Sequence, residues 1–249
     1  MSGAIEITGV SVRYQEKLVL EQASASVPKG AICGLVGMNG AGKSTLFKAI
    51  MSAVPLAKGS VRLHGYSVAT ALKKGVVAYV PQTEAVDWNF PVSVREVVMM
   101  GRYGFMNVLR IPRQKDWDAV DVALERVHLT DFADRQVGQL SGGQRKRVFV
   151  ARALAQGASI LLLDEPFAGV DAKTEASLVE LLRELKKQEV TTLIAAHDLA
   201  TIGSYCDHII LLKKTVVACG PTKKVFTKEN IATTYDSVFG GKGKLPWTF

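Results

Sequence analysis

Gly37-Met38-Asn39-Gly40-Ala41-Gly42-Lys43-Ser44-Thr45 follows a buried-type run, Ala31-Ile32-Cys33-Gly34-Leu35-Val36, and opens a segment, Lys43 to Ala53, that reads as a helix. Gly37 to Ser44 fit G-x-x-x-x-G-K-[ST] in full. Such a loop turns its backbone N–H groups toward phosphate oxygens, and its glycines permit the dihedrals while leaving no side chain in the way. The helix beginning near Lys43 adds its positive end. In this arrangement Lys43 reaches the β and γ phosphates of a nucleotide, and the Ser44 hydroxyl ligates Mg²⁺. A glycine-rich turn also joins strands to helices where no nucleotide binds. Here the strand–loop–helix context is present and Lys43-Ser44 closes the pattern.

Outward from this loop, further short apolar runs suit buried strands: Gly75 to Val80, Ser159 to Leu163, Thr191 to Ala196 and His208 to Leu212. Helical patterns separate several of them. Leu178, Leu181, Leu182 and Leu185 fall at i, i+3, i+4 and i+7 and make one apolar stripe. Strands alternating with helices predict an α/β core with a mostly parallel sheet. Near the N-terminus Ile5, Ile7, Val10 and Val12 alternate with polar residues as in a half-buried strand, and Pro28-Lys29-Gly30 marks a turn. The interval from about Thr83 to Ala155 has few strand signals. Its patterns at 94–100, 115–127 and 143–154 are helical, which predicts a helical subdomain inserted at about 83–155 into a core made of 1–82 and 156–238. The tail, 239–249, is rich in glycine and lysine and is expected to be poorly ordered.

The chain has 249 residues, 48% hydrophobic and 22% charged, which excludes a disordered or fibrous protein. Its longest apolar stretches fall well short of the roughly 18 residues needed to span a bilayer. The opening residues, Met-Ser-Gly-Ala-Ile-Glu, do not read as a secretory signal. The net charge of +8 favours nucleic acid, anionic lipid or phosphorylated ligands without choosing among them. The basic pairs, such as Lys186-Lys187 and Lys223-Lys224, read as solvated faces. Cys33, Cys206 and Cys219 are odd in number and lack metal-ligand spacing, which fits a reduced, cytosolic compartment.

A phosphate loop needs a carboxylate for its metal. The run Ile160 to Leu163 ends in Asp164-Glu165-Pro166, two acids at the carboxyl end of a buried strand, where open α/β sheets place their ligand crevice. Successive residues of an extended chain point to different sides, so the acids can divide the work. Asp164 suits the Mg²⁺ shell, and Glu165 suits a general base that polarises the attacking water. Between the loop and the acids lies Leu140-Ser141-Gly142-Gly143-Gln144, followed by a helical pattern. Ser141 can cap that helix, whose exposed N–H groups make a second anion-binding surface. One nucleotide does not need two such helix ends on one subunit, so the second is expected to serve a nucleotide held by another copy.

These residues resemble the ATP-binding cassette family, and specifically the nucleotide-binding subunit of a transporter, over nearly the whole chain. Gly37, Asn39, Gly40, Ala41, Gly42, Lys43, Ser44 and Thr45 look like its Walker A loop, Ile160 to Asp164 its Walker B strand, and Leu140 to Gln144 its signature motif. The resemblance implies a Q-loop glutamine at Gln82, which also contacts Mg²⁺, a D-loop aspartate at Asp171 and a γ-phosphate-sensing histidine at His197. It places Tyr14 as the ring stacked on adenine. It implies ATP and Mg²⁺ as cofactors and an ATP-sandwich dimer with a second copy. It also implies integral membrane permease subunits, an extracytoplasmic solute-binding protein and a peripheral location at the cytoplasmic face of the plasma (inner) membrane.

A narrower resemblance lies in Asp87-Trp88-Asn89-Phe90-Pro91-Val92-Ser93-Val94, continuing to Tyr103, and in Pro166 to Asp171. Both look like ATPases of manganese, iron and zinc importers, so manganese or iron is the expected cargo, zinc the next, and iron-siderophore or another nutrient the alternative. A soluble single-cassette ATPase, such as one assisting iron–sulfur cluster assembly, is the competing function. A phosphate-loop kinase gives Ser141 to Gln144 no role. Coiled-coil or zinc-binding insertions of DNA-repair relatives are missing from the sequence, as is the second cassette of translation factors, so no nucleic-acid partner is expected.

Overall fold

A computed structural model of the chain describes residues 3–82, 90–196 and 199–235; the 239–249 tail lies outside them. The chain begins with β1 (Ile5–Tyr14), β2 (Lys17–Val27), β3 (Ile32–Val36), α1 (Lys43–Ile50), β4 (Lys58–Leu63), β5 (Tyr66–Ser67), α2 (Val68–Lys73) and β6 (Val77–Val80). Among the described residues three α-helices, with short 3-10 turns between them, precede the next strand: α3 (Val94–Met99), α4 (Gln114–Arg126) and α5 (Gly142–Ala155). Then come β7 (Ile160–Asp164), α6 (Ala172–Lys187), β8 (Thr191–Ala196), α7 (Leu199–Tyr205), β9 (His208–Lys213) and β10 (Thr215–Pro221). Two short helices, α8 (Thr222–Val225) and α9 (Lys228–Tyr235), close the described chain.

The first sheet is antiparallel, in the order β2-β1-β4-β5. Ile5, Ile7, Val10 and Val12 are all buried, although the step from Ile7 to Val10 breaks strict alternation. The register against β2 shifts between those two residues, and this bulge returns the apolar set to the inner face. The second sheet runs β10-β9-β3-β8-β7-β6, with parallel pairing from β9 to β6 and β10 antiparallel at one edge. Its central strands β3 and β8 are buried at every position, as a sheet covered on both faces requires.

Alternation along these strands divides the core in two. Cys33, Leu35, Ile160 and Leu162 face one side, where they meet α1 and the first sheet through Leu46, Phe47 and Ile50. Ile32, Val36, Leu161 and Leu163 face the other, packed with α3 to α6. The predicted stripe of α6 is buried at all four leucines. Helix α1 ends at Ile50 rather than near Ala53, because Ser52 takes a φ of +55°, outside the helical range.

Phe47 links the loop-bearing helix to the sheet: it is fully buried, and its ring meets Tyr79 of β6 edge-on, with centroids 6.0 Å apart. Phe47→Ala is expected to destabilise the fold by about 3–5 kcal/mol in urea unfolding. A loss under about 1 kcal/mol would contradict this packing, since even one buried methylene is worth about that much.

Candidate functional site

The register of the parallel strands sets the site. Val36, the last residue of β3, pairs with Ala196 of β8, and Asp164, the last of β7, pairs with Ala195. The chain therefore leaves β3 and β7 at the same edge of the sheet, bringing the 37–42 loop close to Asp164 and Glu165. Gly37 begins that loop where a Cβ would lie 2.2 Å from the Leu212 carbonyl oxygen, so no larger residue fits. The loop is braced by Ala41 N–H donating to Met38 O at 3.0 Å and Lys214 N–H donating to Ala41 O at 3.0 Å.

Lys43 is buried and folds back on its own loop, donating from Nζ to Gly37 O at 2.7 Å and Met38 O at 3.2 Å. Burial pushes its pKa down, while the nearby Glu165 and Asp164 carboxylates act in the opposite direction. Beside it lies a cavity of about 210 Å³, lined by Asn39, Gly40, Gly42, Lys43, Ser44 and Thr45, by Val19 of β2, and by Glu165 across from the loop. Ser44, on the first turn of α1, is exposed. The cavity thus combines a cation, backbone N–H groups at a helix start and a carboxylate, a set that suits a phosphorylated ligand attacked by water.

The two acids diverge for a reason other than strand alternation. Asp164 ends β7 and accepts a hydrogen bond from the Tyr79 hydroxyl at 2.9 Å. Burial, together with that bond, pushes the Tyr79 pKa up, so the phenol stays a donor. Glu165 leaves the strand altogether, with a φ of +47° and its N–H donating to Ala195 O at 3.0 Å. A left-handed conformation costs a non-glycine residue about 1–2 kcal/mol, which the surrounding contacts must offset. The Glu165 carboxylate accepts from Gln82 Nε2 at 3.0 Å, so the glutamine after β6 and the acid after β7 meet.

Of the other sequence-predicted residues, Gly142 shares a second cavity with Gln82, Asp164 and Glu165. Ser141 caps α5, accepting from Gln144 N–H at 3.3 Å while Gln144 Oε1 accepts from Ser141 N–H at 2.9 Å. Asp171 caps α6, accepting from Thr174 N–H at 2.8 Å, and these backbone donors hold its carboxyl below the usual carboxylate range. None of Ser141, Gly142, Gly143, Gln144 or Asp171 lines the cavity beside Lys43. Tyr14 is exposed at the end of β1, and Val19 is the residue that the first sheet contributes to the lining. His197 and the Asp87-Trp88-Asn89 stretch lie outside the described residues. Sequence reasoning missed Tyr79, because a tyrosine in an apolar strand run gives no sign of which carboxylate its hydroxyl meets.

The chain belongs to the ABC transporter family, whose model matches residues 20–168, and it is an ATP-binding and ATP-hydrolysing member. It is 55% identical over 232 residues to the manganese transport system ATP-binding protein MntA of Synechocystis sp., covering 93% of this chain and 89% of that one. It is 51% identical to the chelated iron transport system membrane protein YfeB of Yersinia pestis, covering 93% of this chain and 79% of the relative. Among solved structures, the ADP conformation of an ATP-binding cassette of an ABC transporter superposes with a TM-score of 0.84 at 25% identity, covering 95% of this chain and 99% of that one. The expected family and the α/β fold with its mostly parallel sheet are both met.

The starts of α5 and α6 touch at Gly143, where a Cβ would lie 2.4 Å from Thr174 Cγ2. Gly143→Ala is therefore expected to cost about 1–3 kcal/mol. Adding Thr174→Ser, which removes the colliding methyl, should recover most of that loss. Strict additivity of the two substitutions in urea unfolding would contradict the contact.

Proposed function

We propose that this chain is the energy-coupling ATPase of a membrane importer for manganese or iron, with zinc the next candidate. The observation that carries the catalytic part is the Glu165 carboxylate facing Lys43 and Ser44 across one cavity while bonded to Gln82. The 37–42 backbone and the start of α1 receive the phosphates of ATP. Lys43 exchanges its bonds to Gly37 and Met38 carbonyls for the β and γ phosphates. The Ser44 hydroxyl, the Asp164 carboxylate and the Gln82 carboxamide offer hard oxygen donors of the kind Mg²⁺ prefers. Bound there, Mg²⁺ would neutralise phosphate charge. Glu165 polarises the attacking water, His197 senses the γ-phosphate, and Tyr14, whose ring is exposed, stacks on adenine.

Ser141 to Gln144 and Asp171 act on the nucleotide of a second copy, which fits their lying away from the cavity beside Lys43. The Ser141 hydroxyl oxygen accepts within its own cap, and its proton remains available to a γ-phosphate. Among the described residues no helix is long and apolar enough to cross a membrane, which favours a peripheral subunit on separate permease chains. A groove of about 580 Å³ beside β6, lined by Met51, Tyr79, Met100, Phe105 and Arg152, suits a permease segment. An extracytoplasmic solute-binding protein would deliver the ion. The manganese and chelated-iron systems named for the relatives above support this cargo.

Two experiments test the proposal. Glu165→Gln should bind ATP and dimerise on sizing with Mg-ATP, yet turn over about 10²–10⁴-fold more slowly, whereas Lys43→Ala should lose productive binding. Near-normal turnover by the Glu165 variant would remove it from the chemistry. For the cargo, deletion of the gene should lower cellular manganese or iron and impair growth in chelated medium. Unchanged manganese, iron and zinc, with loss of another nutrient's uptake, would defeat the metal assignment alone.

A further inference from the structure

The segment from Glu165 to Ala168 is a tight turn in which Ala168 N–H donates to Glu165 O at 3.1 Å. Its first residue is held at a φ of +47°. On one side the turn borders a cavity of about 320 Å³, lined by Gln82, Gly142 and Phe167 among others, so close packing does not support it there. What spans the gap is a side chain from another element. Lys146, five residues after the Ser141 cap of α5, donates from Nζ to Pro166 O at 2.5 Å and to Ala168 O at 2.7 Å. The ammonium is half-buried, and both of these acceptors are backbone carbonyls of the turn. Its neighbours hold α5 elsewhere: Arg145 donates to Gly138 O at 2.6 Å and Arg147 to Val127 O at 2.8 Å. Three consecutive basic residues thus tie one helix to its surroundings, Arg147 also donating to Ser177 of α6, and Lys146 is bonded to the turn that carries Glu165.

We propose that Lys146 is a positioning residue for hydrolysis: from the helix that begins at Ser141, it fixes the 165–168 turn and so sets where the Glu165 carboxylate lies. This rests on the reading of Glu165 as the group that polarises water. It adds a physical link inside one subunit between the helix end that meets the second copy's nucleotide and the acid that serves its own. A displacement of α5 on dimer closure would be transmitted to Glu165 through two charge-assisted hydrogen bonds, which are short and directional.

The test compares Lys146→Met and Lys146→Arg in the full chain, measuring turnover per ATP-binding subunit, KM for ATP and ATP-dependent dimerisation. Lys146→Met keeps the chain length of the lysine side chain and removes the donor. It is expected to keep KM and the dimer, while kcat falls about 10- to 100-fold, as misplacement of a catalytic group does. Lys146→Arg, which restores donors to the same carbonyls, should stay within about threefold of the parent, a small part of that loss. Counting only subunits that bind ATP separates misfolding from misplacement. Normal turnover by Lys146→Met on that count overturns the proposal, as does loss of the dimer in step with turnover or failure of arginine to restore kcat. If Glu165→Gln itself hydrolyses ATP normally, the reading of the base has failed instead, and that result is independent of the Lys146 variants.

Discussion

Three parallel strands end together, and the site depends on that register. Val36, Ala196 and Asp164 stand at the ends of β3, β8 and β7, joined by the pairings Val36 with Ala196 and Asp164 with Ala195. A slip of one residue in either pairing would turn each strand's inward side chains to the opposite layer, and both layers are filled. The hydrophobic core therefore fixes the distance between a cation-bearing loop and a pair of carboxylates. The chemistry at the edge rests on burial well beneath it.

At that edge the chain departs from regular structure where a ligand would need it to. Gly37 lies too close to the Leu212 carbonyl for any side chain, which presses the loop against β9. Lys43 occupies two carbonyls of its own loop, so a buried ammonium stays satisfied until phosphate oxygens replace them. Glu165 adopts a left-handed conformation, held by Ala195 O behind it, Gln82 beside it and the Lys146-braced turn ahead of it. Each of these features is unfavourable or tight by itself, and each is supported from a different element. A site built this way transmits small movements of its supports directly to the reacting groups.

The strands and the phosphate loop were legible in the sequence because their signals are local. Short apolar runs such as Thr191 to Ala196 suit strands of a covered sheet, and the four leucines of α6 keep helical period. The bulge between Ile7 and Val10 was visible only as a flaw in the alternation, since its cause is pairing with β2. The divergence of Asp164 and Glu165 was expected, but from strand geometry; the backbone turn that produces it depends on Ala195, thirty residues further on. Tyr79 and Lys146 were not legible. A tyrosine in a strand and a lysine in a helix carry no mark of a partner 85 and about 20 residues away.

The roles of Lys43 and Glu165 require that the phosphates of ATP bind in the cavity beside Lys43. A crystal structure of the Glu165→Gln variant with Mg-ATP measures this directly. It should show Lys43 Nζ released from the Gly37 and Met38 carbonyls and within hydrogen-bond reach of the β and γ phosphates, with the residue-165 side chain facing the γ-phosphorus. Phosphates bound elsewhere, with Lys43 still on its loop carbonyls, would contradict it.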